Sequence, residues 1–296
     1  MNCLNALTVD VEDYFHVQAF AGVVRQTDWE RYPSRVEQNT YRLLELFSSK
    51  RVRATFFVLG WVAERFPGLV QAIGKAGHRI GCHGYAHQVI YESNDVDFRN
   101  DVRRAKQIIE DITGTRIISY RAPSYSITAE TLWAVEVLGE EGFEYDSSIF
   151  PVRHDNYGIP DAPRFPYIKR LKCGRQINEF PPSTLRFLGN NIPIAGGGYL
   201  RLFPYKLTAW AINYLNKTER QPAMVYLHPW EIDPDQPRIS ASWLSRFRHY
   251  KNLDSTETKC QKLLDAFSWG PMEEVLLQRM PESFRGCAFS YGVQDR

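Results

Sequence analysis

The chain has 296 residues, 44% of them hydrophobic and 24% charged, and a formal net charge of +2. This is an ordinary globular mixture, long enough for one large α/β domain or two smaller ones, and able to bury roughly 75% of the surface its unfolded form exposes. So small a net charge argues against nucleic acid or an anionic membrane as partner, and the one basic cluster noted, "KRLKCGR", reads as a solvated loop. Five cysteines (Cys3, Cys82, Cys173, Cys260 and Cys287) are an odd number with no CxxC pair, which argues against a disulfide framework and a thiolate zinc site. The chain shows neither a basic-then-apolar leader nor a long apolar run, so the expectation is a cytoplasmic protein without an integral membrane segment.

Taken in order, "ALTVDV" reads as a strand. Residues 34–51 read as a helix, with Ser34 and Glu37 in capping-box spacing and Val36, Leu43, Leu44 and Phe47 on one face. "RATFFVLG" is a short buried strand, "GLVQAIGKAG" a helix and "HRIGCH" a strand. "DFRNDVRRAKQIIEDITG" is a helix closed by Gly114. "ISYRAP" is a further strand, and "TAETLWAVEVLGEEG" the helix after it. Such alternation predicts βαβ units and a largely parallel sheet. From Pro151 to about residue 200 the chain is rich in Pro, Asp and Asn and reads as an irregular excursion. A helix, "YKLTAWAINYLNK", a strand, "PAMVYLHPWE", and a helix, "KCQKLLDAFSW", follow, and the last 27 residues carry no clear pattern. With no repeat, low-complexity tract or flexible linker, residues 1–296 read as one domain.

Two clusters carry chemistry. "TVDVEDYFH" places Asp10, Glu12 and Asp13 just beyond an apolar strand, where they repel one another unless a cation sits among them. "HGYAHQ" places His83 and His87 four residues apart; in a helical turn both imidazoles point to one side, as two ligands of one metal require. In a parallel α/β architecture strand ends share a rim. Two neutral imidazoles and a carboxylate then form a three-ligand site with an open position, usual for a catalytic dication. On an extended strand Asp10 and Glu12 share a face, which favours Glu12 as the metal carboxylate; if the strand ends at Asp10, Asp13 swings in instead.

These segments, in this order, resemble the polysaccharide deacetylase (NodB-homology) family of carbohydrate esterases. "TVDVED" resembles its first motif, "HGYAH" its paired-histidine motif, "RAPSYS" its Arg-x-Pro segment, "FEYDSSIFP" its aspartate segment and "VYLHPWE" its final histidine segment. "DVEDYFH" and the tail after residue 231 further resemble a bacterial branch linked to exopolysaccharide loci, so residues 232–296 read as a branch-specific segment. Gly84 stands where the family usually has Ser or Thr. The resemblance implies an α/β fold, a distorted (β/α) barrel of about seven strands. It implies a metal-dependent hydrolase that removes N-acetyl groups from an N-acetylated polysaccharide or its precursor, with zinc as first choice and cobalt, nickel or iron as others. Within it Asp10 is the base, His228 the acid, Arg121 the partner that favours the ionised Asp10, and Asp146 the group that orients Arg121 or His228. A backbone N–H between Pro123 and Tyr125 would serve the oxyanion, and Tyr125, Tyr199 and Trp230 would line a sugar groove.

Duller readings stand beside these. Arg121 can also be read as a surface residue, Asp146 as a turn or cap, and His228 as a satisfied buried histidine. His16, His78, His154 and His249 read as structural or exposed, and Tyr125, Tyr199 and Trp230 equally as core packing; on the functional side, "GGGYLR" reads as a substrate-side loop. Two rival functions follow: hydrolysis of a small amide such as allantoin or a cyclic imide, favoured by a small closed pocket, and a non-catalytic carbohydrate-binding protein. The second needs neither acid nor base.

Overall fold

The computed structural model describes residues 3–155, 157–194 and 196–279. Cys287 and most of the unpatterned C-terminal stretch lie outside the described residues. The first strand, β1 (Leu4–Val11), is buried along nearly its whole length, as an apolar run in a parallel sheet covered on both faces requires. Chain order then gives α1 (Val36–Lys50), β2 (Thr55–Val58), α2 (Gly60–Arg65), α3 (Pro67–Lys75), β3 (Arg79–Cys82), α4 (Asp95–Thr113), β4 (Ser119–Tyr120), α5 (Trp133–Glu140) and β5 (Tyr145–Asp146). Helix α4 starts on the Asn94 side chain, which accepts the Asp97 N–H, and ends at Gly114 in the left-handed region.

The excursion contains β6 (Tyr167–Arg170), β7 (Gln176–Glu179) and a separate hairpin, β8 (Thr184–Phe187) with β9 (Asn190–Pro193). Beyond it come α6 (Gly197–Leu202), α7 (Tyr205–Tyr214), β10 (Met224–Leu227), α8 (Trp243–Tyr250), α9 (Leu253–Ala266), β11 (Ser268–Gly270) and α10 (Met272–Arg279). The main sheet runs β10-β1-β2-β3-β4-β5-β7-β6, with β11 also against β1. All its pairings are parallel except β6 on β7, so eight parallel strands, β11 included, form a curled, open half-barrel of (β/α) type with helices packed outside.

Three local expectations change. Helix α1 begins at Val36 with no side-chain cap from its own N-cap residue, because the Ser34 hydroxyl is donated to Asp13. The stretch read as strand up to Gly60 turns helical there. Within the excursion, Gln176–Glu179 joins the main sheet beside β5. Far from the rim where strands end, Glu273 on α10 accepts the hydroxyls of Thr55 (2.6 Å) and Ser119 and ties the foot of the sheet together. Among the described residues no helix is long and apolar enough to cross a membrane.

Candidate active site

Register explains why the site assembles. Val9 pairs with Leu227, Val11 with Val58, Val58 with Cys82, Cys82 with Tyr120, and Tyr120 with Asp146. The residues that follow these levels, His83, Arg121 and His228, therefore emerge with Asp10 and Glu12 on one rim.

Glu12, His83 and His87 bring one donor atom each to within 4.8 Å of one another, and all three are buried. His83 Nδ1 lies 2.8 Å from the Arg121 carbonyl. It donates there, which leaves a lone pair on Nε2 for the site centre. Glu12 Oε2 stands 2.7 Å from His87 Nε2, yet it is a buried oxygen with no hydrogen-bond partner. An orphaned carboxylate oxygen facing two imidazoles fits a dication, and the N2O donor set suits zinc-type metals. Burial works against a charge on Glu12, but His87 and His228 beside it hold its carboxyl well below the usual range. Burial pushes the His83 imidazole down to about 4 despite Asp10 and Glu12, so it is neutral, as a ligand must be.

Asp13 faces elsewhere. Its carboxylate accepts the Ser34 hydroxyl (2.6 Å) and the N–H groups of Tyr14, Arg35 and Val36, closing the start of α1 from outside the helix. With its oxygens occupied, Glu12 is the carboxylate in the triad. His16 lies beneath the cluster, its Nδ1 accepting the Asp13 N–H and its ring between Trp29 and Trp61.

The histidine turn is shaped by Gly84 and Asp101. Gly84 has φ +72°, and a Cβ there would sit 2.9 Å from Asp101 Oδ2. That carboxylate, on α4, accepts the N–H groups of Tyr85 (2.8 Å) and Ala86 (3.1 Å). Only glycine combines this backbone with this contact, which accounts for the absence of a hydroxyl residue.

Beside the triad, Asp10 Oδ1 accepts from Arg121 Nη1 at 2.7 Å, and the same nitrogen reaches Thr8 Oγ1. Arg121 is fully buried; Ser147 holds its other nitrogens through its carbonyl and hydroxyl. His228 Nε2 is 3.8 Å from Asp10 Oδ2 and 3.4 Å from Glu12 Oε1. Its Nδ1 is 3.1 Å from Glu231 Oε2. Burial opposes the imidazolium, but Glu12, Glu231 and Asp10 outweigh it and push His228 up to about 9. Glu231 in turn pairs with Arg201 (2.8 Å), whose remaining N–H groups hold the carbonyls of Arg248, His249 and Lys251. Neither Glu231 nor Arg201 stood out in the sequence, although Glu231 belongs to the quoted "VYLHPWE".

Asp146 reaches the rim but turns to Glu179, its register partner on β7, and accepts the Ser148 hydroxyl. The orienting work expected of it falls to Ser147 for Arg121 and Glu231 for His228. Trp230 donates its indole N–H to Glu12 Oε1 (3.3 Å) and is stacked between His228 and His249. Ser124 and Tyr125, with Tyr199, line the cavity above the triad, whereas Pro123 stays behind them. The Tyr125 N–H is taken by the Ala122 carbonyl at 3.1 Å, which removes it as an oxyanion donor. The cavity holds about 500 Å³. The "GGGYLR" segment, expected as a loop, forms the start of α6 and reaches the cavity because Gly196, at φ +150°, lies flat on Tyr226, where a Cβ would be 2.1 Å from the ring.

Residues 28–143 match the family model "Polysaccharide deacetylase", and residues 147–277 match a domain of unknown function (DUF3473). A peptidoglycan-N-acetylglucosamine deacetylase of Bacillus cereus is 35% identical over 98 residues, 33% of this chain and 36% of the relative. A peptidoglycan deacetylase of Helicobacter pylori is 32% identical over 108 residues, 36% of each chain. The match thus spans little more than a third of either relative. Among solved structures, a Mycobacterium smegmatis protein assigned as a polysaccharide deacetylase superposes with a TM-score of 0.60 at 19% identity, covering 94% of this chain and 90% of its own. The allantoinase PuuE gives 0.58 at 15% identity over 92% and 88%. At such identities these two likenesses speak for the fold alone. Membership of the polysaccharide deacetylase family is thus carried by residues 28–143, and residues 147–277 match a domain whose function is not known.

Proposed function

We propose that the protein is a metal-dependent hydrolase that removes N-acetyl groups from an N-acetylated polysaccharide or its precursor, of exopolysaccharide or peptidoglycan type. The observation that carries this reading is the convergence of a Glu12–His83–His87 triad with Asp10 and with His228, whose Nε2 is 3.8 Å from Asp10 Oδ2 and 3.4 Å from Glu12 Oε1. Glu12, His83 and His87 would hold the dication, with zinc as first choice and cobalt or nickel as alternatives. Bound there, it supplies Lewis acidity for the amide carbonyl and for a nucleophilic water. Asp10 accepts the proton of that water, and Arg121 fixes which of its oxygens faces the cavity. His228 returns a proton to the departing sugar amine. Glu231 holds the ring in register, and its buried carboxylate favours the protonated imidazole.

An acid and a base around one triad are superfluous in a mere binding module, which supports hydrolysis. A polymeric substrate is supported by the shape above the site. The main cavity and a second of about 460 Å³ share Tyr91, His154 and Tyr157 as a common wall, so a groove continues past the reacting centre. A small cyclic amide would leave most of that length unfilled.

The test is acetate release from N-acetylglucosamine oligomers, with allantoin and cyclic imides alongside, after loading with zinc, cobalt or nickel. Wild-type protein should release acetate from oligomers, and Asp10→Asn should bind metal stoichiometrically yet lose at least about 100-fold in kcat. Turnover confined to small amides, or full activity in Asp10→Asn, would overturn the assignment.

A further inference from the structure

Helix α8 is amphipathic in the wrong sense for a helix that merely covers a core. Trp243, Leu244 and Phe247 are 76%, 47% and 39% exposed. Successive residues turn by about 100°, so the three occupy one arc of about that width. Trp243 and Phe247 stack on each other, ring centroids 5.5 Å apart, and form a continuous apolar ridge facing outward. Arg246 and Arg248, both exposed, flank the arc on either side. The opposite face carries His249, 2% exposed, whose ring lies 4.2 Å from that of Trp230. The helix is therefore anchored to the site by one face and offers bulky hydrophobics by the other.

Charge in this segment is one-sided. Residues 238–251 contain Arg238, Arg246, Arg248 and Lys251 and no acid. The chain's formal net charge of only +2 conceals this, which is why the total is a poor guide to what this surface meets. An apolar arc rich in Trp, Leu and Phe, bordered by arginines, has the composition of a helix lying in a lipid headgroup layer. Its rings enter the acyl boundary and its guanidiniums stay at phosphate level. Arg248 and His249 also line the cavity, so the ridge sits at the cavity's rim.

We propose that α8 is an interfacial helix that docks the protein on an anionic lipid surface through Trp243, Leu244 and Phe247, with Arg246, Arg248 and Lys251 as the electrostatic component. Docking there would bring the cavity mouth next to headgroups and suits a substrate carried on lipid. The docking itself does not depend on the hydrolase reading, and its assay uses no catalysis, so either can fail alone.

The full-length protein is sedimented with vesicles of equimolar phosphatidylglycerol and phosphatidylcholine, and with phosphatidylcholine vesicles, at low and high salt. Binding should favour the anionic vesicles by about tenfold or more and weaken with salt. Trp243→Ser with Leu244→Ser and Phe247→Ser should reduce it by about tenfold or more, and Arg246→Gln with Lys251→Gln should reduce it while flattening the salt dependence. Brominated acyl chains should quench wild-type tryptophan fluorescence, and Trp243→Phe should remove most of that quenching. This last readout keeps the fold, so it decides the matter even if the triple variant misfolds. No vesicle binding, equal binding to both compositions, or quenching unchanged in Trp243→Phe overturns the proposal. So does a wild-type dimer that the triple variant abolishes while vesicles are ignored, since a second copy of the chain would then cover the ridge.

Discussion

At the scale of single residues, the site depends on which charged groups were given partners. Asp13 and Glu12 are neighbours in sequence, yet one carboxylate is saturated by a helix start and the other is left open to two imidazoles. His228 owes its orientation to Glu231, and Glu231 is fully buried against Arg201. Replacing Glu231 by Gln keeps the shape but removes the charge that helps raise His228. We expect kcat to fall about 10- to 100-fold with KM little changed, and the alkaline limb of the pH profile to move to lower pH. A merely structural Glu231 would lower the amount of folded enzyme and leave the profile where it was, so the profile is the measurement that decides. None of this was legible from spacing. "HxxxH" and the Asp10–Glu12 interval announce themselves because ligands of one site lie close in sequence; Arg201 is separated from Glu231 by 30 positions, and only the fold brings them together.

At the scale of elements, strong patterns were readable and weak ones were not. Strand β2 reads from its unbroken apolar run, and α4 from its periodicity and its Gly114 stop. Strand β7, with the sequence Gln-Ile-Asn-Glu, carries one apolar residue in four positions and sits in a Pro-rich excursion, so nothing local distinguishes it from loop. Its place in the sheet is set by β5 and by the antiparallel β6. The turn bearing the histidines is the element where backbone and chemistry meet. His87 itself sits at φ +50°, as does Ser124 at φ +53° across the cavity, both in the sparsely populated left-handed region. Gly84→Ala should cost about 1–2 kcal/mol from its backbone alone. The added methyl would also press Asp101 off the two N–H groups that hold the turn. The expected outcome is a lower urea midpoint and weaker zinc binding by calorimetry, about tenfold. Unchanged affinity in that variant would mean that the turn's shape is not what aligns His83 and His87.

Over the whole molecule, the sheet's register couples distant segments, and two consequences are measurable. The Glu12–His83–His87 triad joins the end of β1 to the segment after β3, so a dication held there would brace the sheet's rim. At 100 times its Kd a ligand adds about 2.7 kcal/mol to stability, which for a chain this long is on the order of 4 °C in melting temperature. Chelation should produce that loss, zinc should reverse it, and His83→Ala with His87→Ala should be indifferent to both. The second consequence concerns Asp146 and Glu179, paired across β5 and β7. Both are buried, and each keeps one oxygen without a hydrogen-bond partner among the described residues. Burial raises Asp146 to about 6 against the hydrogen bonds of Glu179 and Ser148 and the Arg121 charge, and burial together with Asp146 raises Glu179 well above the usual carboxyl range. In an unfolded chain the two would titrate near 3.9 and 4.3. Between about pH 4 and the folded values, the native state therefore holds protons that the unfolded state has released. Stability that this pair contributes is complete below about pH 4 and is lost as pH rises through 6 and beyond. The slope is about 1.4 kcal/mol per pH unit for each proton held only in the folded state. Glu179→Gln replaces the protonated partner by a neutral amide that can donate to Asp146 at any pH. Its unfolding free energy should exceed wild type at pH 8 and converge with it near pH 5. A variant less stable at pH 8 would show that the pair is held ionised, with the Arg121 charge and not a shared proton as its counterweight.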